Sequence, residues 1–157
     1  MPTDDRILRD QLVEFLRGGS AHVELTAALK DFPSELYGAK PKGAPHTAWQ
    51  LLEHIRFTLH DLLDFCMNPK YVAPDWPEAY WPKNGAPNSK DEWKACAKAI
   101  QEDIAEFEKL AGDPGSNLYA PIPWGDGQTL LREILLAGDH TSYHLGQLVM
   151  LRKQLEE

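Results

Sequence analysis

Two of the six histidines are spaced so that both can bind one metal ion. His140 and His144 are four residues apart, and in a helix such residues share a face with Cβ atoms about 6 Å apart. Both rings can then reach one ion at nitrogen–metal distances of about 2.1 Å. The same predicted face carries Ala137, Leu148 and Leu151, so we expect both histidines to be buried, where a polar ring needs a partner.

His54 is the natural third ligand. It lies between Leu51 and Thr58 on the apolar face of another predicted helix. Three imidazoles leave at least one coordination position for water or substrate, as catalytic sites do, and they suit zinc, nickel, copper and iron alike. The alternative is three separate core histidines, each hydrogen-bonded to a carbonyl or a carboxylate.

Two better-known metal motifs do not fit the sequence. A zinc protease of the H-E-x-x-H type needs a glutamate that the segment HTSYH at residues 140–144 lacks. A di-iron bundle needs Glu-x-x-His, and no histidine has a glutamate three residues before it.

Three acidic residues are candidates to orient the histidine rings, because a carboxylate that accepts the second ring N–H fixes a metal-binding imidazole. Asp139 and Glu53 each precede a histidine, and Glu133 lies seven residues before His140 on nearly the same face. For Glu53 we favour an ion pair with Arg56 instead.

The remaining histidines carry weaker signals. His60 shares a face with charged residues, so we expect it to be solvated. His46 precedes a helix start, where a loop or capping role is expected. His22 follows the Gly18-Gly19 break and is a minor candidate to line the site.

Four segments with helical periodicity position these residues: 4–32, 47–67, 89–111 and 128–154. The first is interrupted at Gly18-Gly19, after which Ser20 can cap a continuation, so we expect one kinked helix or two collinear pieces.

Capping boxes mark two of the helix starts, Thr47-x-x-Gln50 and Ser89-x-x-Glu92. Gly138 and Gly146 lie inside the last segment, where each costs about 1 kcal/mol relative to alanine. A close approach by another helix or by a ligand would offset that cost.

The connections are long and rich in proline and aromatic residues. Residues 70–88 allow a crossover between helices two and three, and residues 113–127 join helices three and four. Trp81, Trp124 and Tyr143 are candidates to shape a pocket, although aromatic residues more often simply pack. We predict an all-α fold, a single-domain four-helix bundle over residues 1–157 with a long crossover between helices two and three.

Composition limits the function classes. A net charge of −8 without blocks of like charge argues against nucleic acid and against anionic membranes as partners, and leaves a small-molecule substrate. The polar start and the absence of a long apolar run predict a cytoplasmic protein. Cys66 and Cys96, without a Cys-x-x-Cys motif, are expected to be buried reduced thiols.

The histidine residues and the residues around them resemble the sequence signature of a known protein family. Residues 140–147, HTSYHLGQ, resemble the H-x-x-x-H-x-G-Q signature of the DinB-like proteins, which include YfiT-type metal-dependent hydrolases. His54 in the segment WQLLEHI matches the family's helix-two position, and the segment Gly-Gln-Thr at 127–129 also agrees. With the helix count and the long second connection, the resemblance spans nearly the whole chain.

The resemblance implies a four-helix bundle that binds zinc, nickel or a similar divalent ion through His54, His140 and His144, often as a homodimer. Members with an assigned activity are mostly thiol transferases or isomerases that use a low-molecular-weight thiol such as bacillithiol or mycothiol. The family name comes from a damage-inducible gene and does not establish a role in DNA repair.

Three functions follow as hypotheses. The first is a metal-dependent enzyme, a thiol S-transferase or a hydrolase, in which the open position activates a thiol or water. The second is a non-catalytic metal-binding stress or sensor module with the same ligands. The third is a metal-free structural protein whose histidines are hydrogen-bonded internally.

Overall fold

A computed structural model describes residues 4–157, and the regular structure in this range consists of helices joined by loops. Residues 1–3 of the predicted domain lie outside the described residues. The helices are α1 (Asp4–Arg17), α2 (Leu25–Leu29), α3 (Ala48–Met67), α4 (Lys90–Gly112) and α5 (Leu130–Glu156). Extended pairing within residues 4–157 is limited to one isolated bridge between Pro121 and Thr129.

Capping residues start the helices α3, α4 and α5, and the two at Thr47 and Ser89 lie where the sequence predicts them. The Thr47 hydroxyl accepts a hydrogen bond from the Gln50 N–H, and the Gln50 side chain accepts one from the Thr47 N–H, which completes the capping box of α3. Ser89 caps α4 by accepting from the Glu92 N–H, but the Glu92 carboxylate accepts from the Asn88 N–H instead of the Ser89 N–H, so the predicted capping box is only half formed. Thr129 caps α5 by accepting from the Arg132 N–H. These caps satisfy N–H groups that have no partner within a helix.

The first predicted segment is two helices separated by a loop. Helix α1 ends at Arg17, and the next two residues, Gly18 and Gly19, have φ angles of 72° and 86°, which favour glycine. The predicted cap at Ser20 is wrong, because its hydroxyl donates to Glu14 and α2 begins only at Leu25. The double glycine therefore ends α1 instead of bending one continuous helix.

The long helices pack around one hydrophobic core. Helix α3 packs against α4 and α5, and α1 packs against the same two helices. The centre of the core consists of fully buried side chains from three long helices and one loop: Leu52, Ile55, Leu59, Ile100, Phe107, Leu118, Ile134 and Leu148. The interface between α3 and α5 is also where the buried histidines lie.

Cys66 and Cys96 are both free thiols; Cys96 is buried as expected, whereas Cys66 is half-buried. Burial raises the pKa of Cys66 to about 12 and raises that of Cys96 as well, so neither thiol is a ready nucleophile. No helix in the described part of the chain has the length and apolarity needed to cross a bilayer.

The two glycines of α5 have opposite surroundings. A Cβ on Gly138 would lie 2.1 Å from Cε1 of Phe15 on α1, so this glycine allows the close helix approach that the sequence predicts. A Cβ on Gly146 would meet nothing within 4 Å.

We therefore expect the two alanine substitutions to act in opposite directions. Gly146→Ala should raise the free energy of unfolding by about 0.5–1 kcal/mol, because alanine is the better helix former. Gly138→Ala should lower it by about 1–3 kcal/mol, because Phe15 must move away. Urea unfolding of both variants beside the parent tests this, and equal shifts would contradict it.

Candidate metal centre

Three histidine rings from α3 and α5 converge in the interface between the two helices. Each of His54, His140 and His144 offers one ring nitrogen to the cluster, and these nitrogens lie within 4.8 Å of one another. The Nε2 atoms of His54 and His140 are 3.0 Å apart. The sequence prediction that these three residues meet is confirmed, although His54 and His140 are 86 positions apart in the chain.

Hydrogen bonds on the far side of two rings aim their lone pairs into the cluster. The Nδ1–H of His54 donates to the backbone oxygen of Tyr80 at 2.7 Å. The Nδ1–H of His144 donates to Oε1 of Gln147 at 2.8 Å. These acceptors assign the proton to Nδ1 in both rings and leave Nε2 free as a ligand atom.

His140 cannot satisfy both of its nitrogens within the protein. Its Nε2 faces Nε2 of His54, while its buried Nδ1 has no hydrogen-bond partner in the described residues. If Nδ1 holds the proton, two lone pairs face each other at 3.0 Å. If Nε2 holds it, this N–H can donate to Nε2 of His54, but the lone pair on Nδ1 is buried unpaired. A cation between the Nε2 atoms would remove the lone-pair repulsion of the first arrangement.

The spacing of the rings also suits one ion. Two nitrogens that each lie about 2.1 Å from a metal are about 3.0 Å apart at a right angle and about 3.4 Å apart at a tetrahedral angle. The 3.0 Å between Nε2 of His54 and Nε2 of His140 falls at the start of this range. The pair His54 and His140 therefore fits one divalent ion, and the ring nitrogen of His144 lies within 4.8 Å of both.

The cluster is held in the neutral form that metal binding requires. Burial, helped by His144 and His54, lowers the pKa of His140 to about 3. Burial also lowers the pKa of His54 to about 4, against the opposing effect of the Tyr80 carbonyl, and it lowers the pKa of His144. At neutral pH all three lone pairs are available without loss of a proton.

Trp81 covers one side of the cluster. Its ring stacks on His54 with centroids 3.8 Å apart and an interplanar angle of 5°. Its other side stacks on His46, with centroids 3.7 Å apart. Trp81 thus separates His54 from His46 and shields one side of the His54 ring.

Hydrogen bonds to α3 position the connection that carries Trp81. The Thr47 hydroxyl donates to the Gly85 carbonyl at 2.6 Å, and the Gln50 side chain reaches the Pro82 carbonyl at 3.5 Å. Asp61 accepts from the hydroxyls of Tyr71 and Tyr80 at 2.9 Å and 2.6 Å. The connection is therefore fixed to the same helix that supplies His54.

None of the three predicted carboxylates bonds to a histidine ring. Glu53 forms the expected ion pair with Arg56. Glu133 is buried, but its carboxylate pairs with Arg132, and Asp139 is exposed. The groups that accept from the ring N–H of His54 and of His144 are instead a backbone carbonyl and a side-chain amide oxygen. Gln147 was detectable, because it lies one turn after His144 on the same helix.

The other histidines lie outside the cluster. His22, the minor candidate, is exposed, and its Nδ1–H donates to the Val23 carbonyl while its Nε2 accepts from Ser142. His60 is exposed as expected, and its Nδ1 lies 3.4 Å from Oδ2 of Asp103. His46 is a loop residue as expected, with the added stacking on Trp81.

Two of the three aromatic candidates contact the cluster. Trp81 does so as described, and the Tyr143 ring packs edge-on against His144 while remaining 65% exposed. Trp124 does not, because its Nε1–H donates to the Phe65 carbonyl near the other end of α3.

Comparison with known proteins gives one match. The family model for the DinB superfamily (DinB_2) matches residues 20–148. No curated protein matches the chain, and no solved structure matches it.

The lowered pKa values predict how the stability of the metal-free protein depends on pH. The pKa of these histidines is about 6.5 in the unfolded chain, whereas in the folded chain it is about 4 for His54 and about 3 for His140. At a pH between these values the unfolded chain binds protons that the folded chain does not bind. With respect to these groups, the free energy of unfolding is highest above pH 6.5 and decreases as the pH falls. The limiting slope is about 1.4 kcal/mol per pH unit for each group.

Urea unfolding in the presence of a chelator, in steps from pH 8 to pH 5, measures this slope. We expect a flat region above pH 7, a decline below 6.5 and a shallower decline in His140→Gln. A curve with no decline between pH 6.5 and 5 would show that the rings are not held neutral.

Proposed function

Because the chain belongs to the DinB superfamily, we propose that it works at one divalent metal ion, zinc or nickel, held by Nε2 of His54, His140 and His144. The observation that carries this proposal is the convergence of three neutral imidazoles, two buried and one half-buried, whose ring nitrogens lie within 4.8 Å of one another. The ion would be the enzyme's resident cofactor, with these three residues as its protein ligands.

We propose further that the protein is an enzyme of the thiol S-transferase or hydrolase type. The three ligands are uncharged, and in the described residues no carboxylate or thiolate joins them as a fourth. Such a site keeps an open position. When bound there, the ion would lower the pKa of a thiol or of water and supply a nucleophile near neutral pH.

The protein's own groups would hold the ligands and limit water. The Tyr80 carbonyl and the Gln147 amide oxygen fix the ring orientations of His54 and His144, as partners of metal-binding histidines do. Trp81 covers the His54 ring, and exposed Tyr143 marks the edge of the cluster that faces solvent. Substrate would approach past Tyr143.

For the architecture, we propose one domain in which the four long helices form the family's bundle and residues 68–89 make the crossover between α3 and α4. We also propose a homodimer that pairs through α5. Its support is an exposed side of that helix on which Leu135 and Gly146 lie about three turns apart, away from Tyr143. Sedimentation of the tag-free chain measures its mass in solution.

Elemental analysis tests the metal site. Tag-free protein should contain about one equivalent of zinc or nickel, and His54→Ala/His140→Ala should contain almost none, because one ligand cannot hold the ion. The matched control is His22→Ala/His60→Ala, which removes two histidines outside the cluster and should keep the metal. Wild-type protein that stays metal-free after reconstitution would overturn the proposal.

Thiol transfer tests the enzyme. With bacillithiol or mycothiol and the electrophile 1-chloro-2,4-dinitrobenzene, metal-loaded protein should accelerate thioether formation. Chelation should abolish the acceleration and re-addition of metal should restore it, and the loss of one ligand in His140→Ala should lower the rate at least about 100-fold.

Measuring ester hydrolysis by the same protein samples tests whether the enzyme is a hydrolase instead of a thiol S-transferase. A protein that holds one equivalent of metal, transfers no thiol and hydrolyses no ester would be the non-catalytic metal-binding module instead.

A further inference from the structure

A small cavity lies beside the histidine cluster, between α5 and the residues that lead into α3. Its volume is about 220 Å³. The floor is formed by Leu51 and Leu151, which are both buried, and the rim includes Met150, which is 57% exposed. The cavity is therefore open to solvent at one side and apolar inside.

Two polar residues of the lining connect the cavity to the cluster. Gln147 lines the cavity, and its Oε1 accepts the hydrogen bond from Nδ1–H of His144. His46 also lines it and stacks on Trp81, whose other side covers His54. A molecule in the cavity would thus be one residue away from the His144 ring, through Gln147, and two residues away from the His54 ring, through His46 and Trp81.

The lining sets the chemistry of what can bind. It contains no Asp, Glu, Lys or Arg, in a chain whose net charge is −8, so burying a charged group there would leave it unpaired. The Oε1 atom of Gln147 is engaged by His144, whereas its side-chain N–H groups have no partner among residues 4–157. These N–H groups are hydrogen-bond donors.

We propose that this cavity binds an uncharged apolar part of the substrate used at the histidine cluster. The group would be one aromatic ring or a short branched alkyl chain, next to a carbonyl oxygen that accepts from Gln147. The volume suits a fragment, because cavities for drug-sized ligands hold about 300–1,000 Å³. The role as a substrate site rests on the proposed function, whereas binding to the cavity does not require a metal.

The first experiment uses the metal-free chain labelled with ¹³C in its methionine methyl groups. N-benzylformamide, which has one aromatic ring and one neutral carbonyl, is the probe. Titration should shift the Met150 methyl signal in a saturable way and leave the Met67 signal in place. Benzoate and benzylammonium should bind at least about tenfold more weakly, because each brings a charge into an uncharged cavity.

Matched tryptophan variants test the location. Met150 and Met67 are both helical and both 57% exposed, but only Met150 lines the cavity. Met150→Trp should fill the opening and weaken probe binding at least about tenfold, while Met67→Trp should leave it within twofold. Thermal unfolding checks that both variants fold. Equal binding by the two variants, or equal shifts of both methyl signals, would overturn the cavity site.

Paramagnetic Co²⁺ tests the connection to the cluster. In Co²⁺-loaded protein the bound probe should show enhanced proton relaxation that is lost in Met150→Trp and on chelation. Probe binding without this relaxation, in a protein that holds cobalt, would overturn the substrate role. Protein that binds the probe but takes up no metal would contradict the proposed function while leaving the cavity's preference for neutral ligands established.

Discussion

The desolvation of three imidazole rings between α3 and α5 is the constraint on which the surrounding structure depends. A buried ring has two nitrogens to satisfy, and in water each would have a partner at no cost. The protein supplies an outer partner for His54 and for His144, and none for Nδ1 of His140. Lone pairs that face one another in such an interface repel unless a cation or a proton lies between them, so the arrangement is compatible with metal binding.

Positioning of these rings is shared between regular and irregular structure. Helix α5 brings two histidines together through its own geometry, and Gln147 one turn later orients one of them. His54 depends instead on the connection after α3, which contributes a backbone acceptor and the covering Trp81 ring. The capping residue Thr47 also helps to position this connection, because its hydroxyl donates a hydrogen bond to the Gly85 carbonyl.

The ligand candidates and the starts of α3 and α4 could be predicted from the sequence, whereas the acceptor that orients His54 and the start of α2 could not. Residue type and helical spacing identified the three clustered histidines, and the caps of α3 and α4 located those helices to within a residue or two. The acceptor for His54 could not be identified, because any residue offers a backbone carbonyl and only the folded connection selects that of Tyr80. The start of α2 was misplaced because a serine after a double glycine resembles a cap in sequence, although its hydroxyl turns to Glu14.

Tyr80 has a consequence for how α3 can vary in length. Its backbone oxygen accepts from His54, and its hydroxyl donates to Asp61, so this one residue bonds to two side chains that are seven positions apart in α3. Those positions are about two helical turns, and they place both partners on the same side of the helix. Deletion or insertion of one residue within 55–60 would rotate Asp61 by about 100° relative to His54 and break one of the two bonds. This stretch of α3 therefore tolerates substitution more readily than any change in the number of its residues.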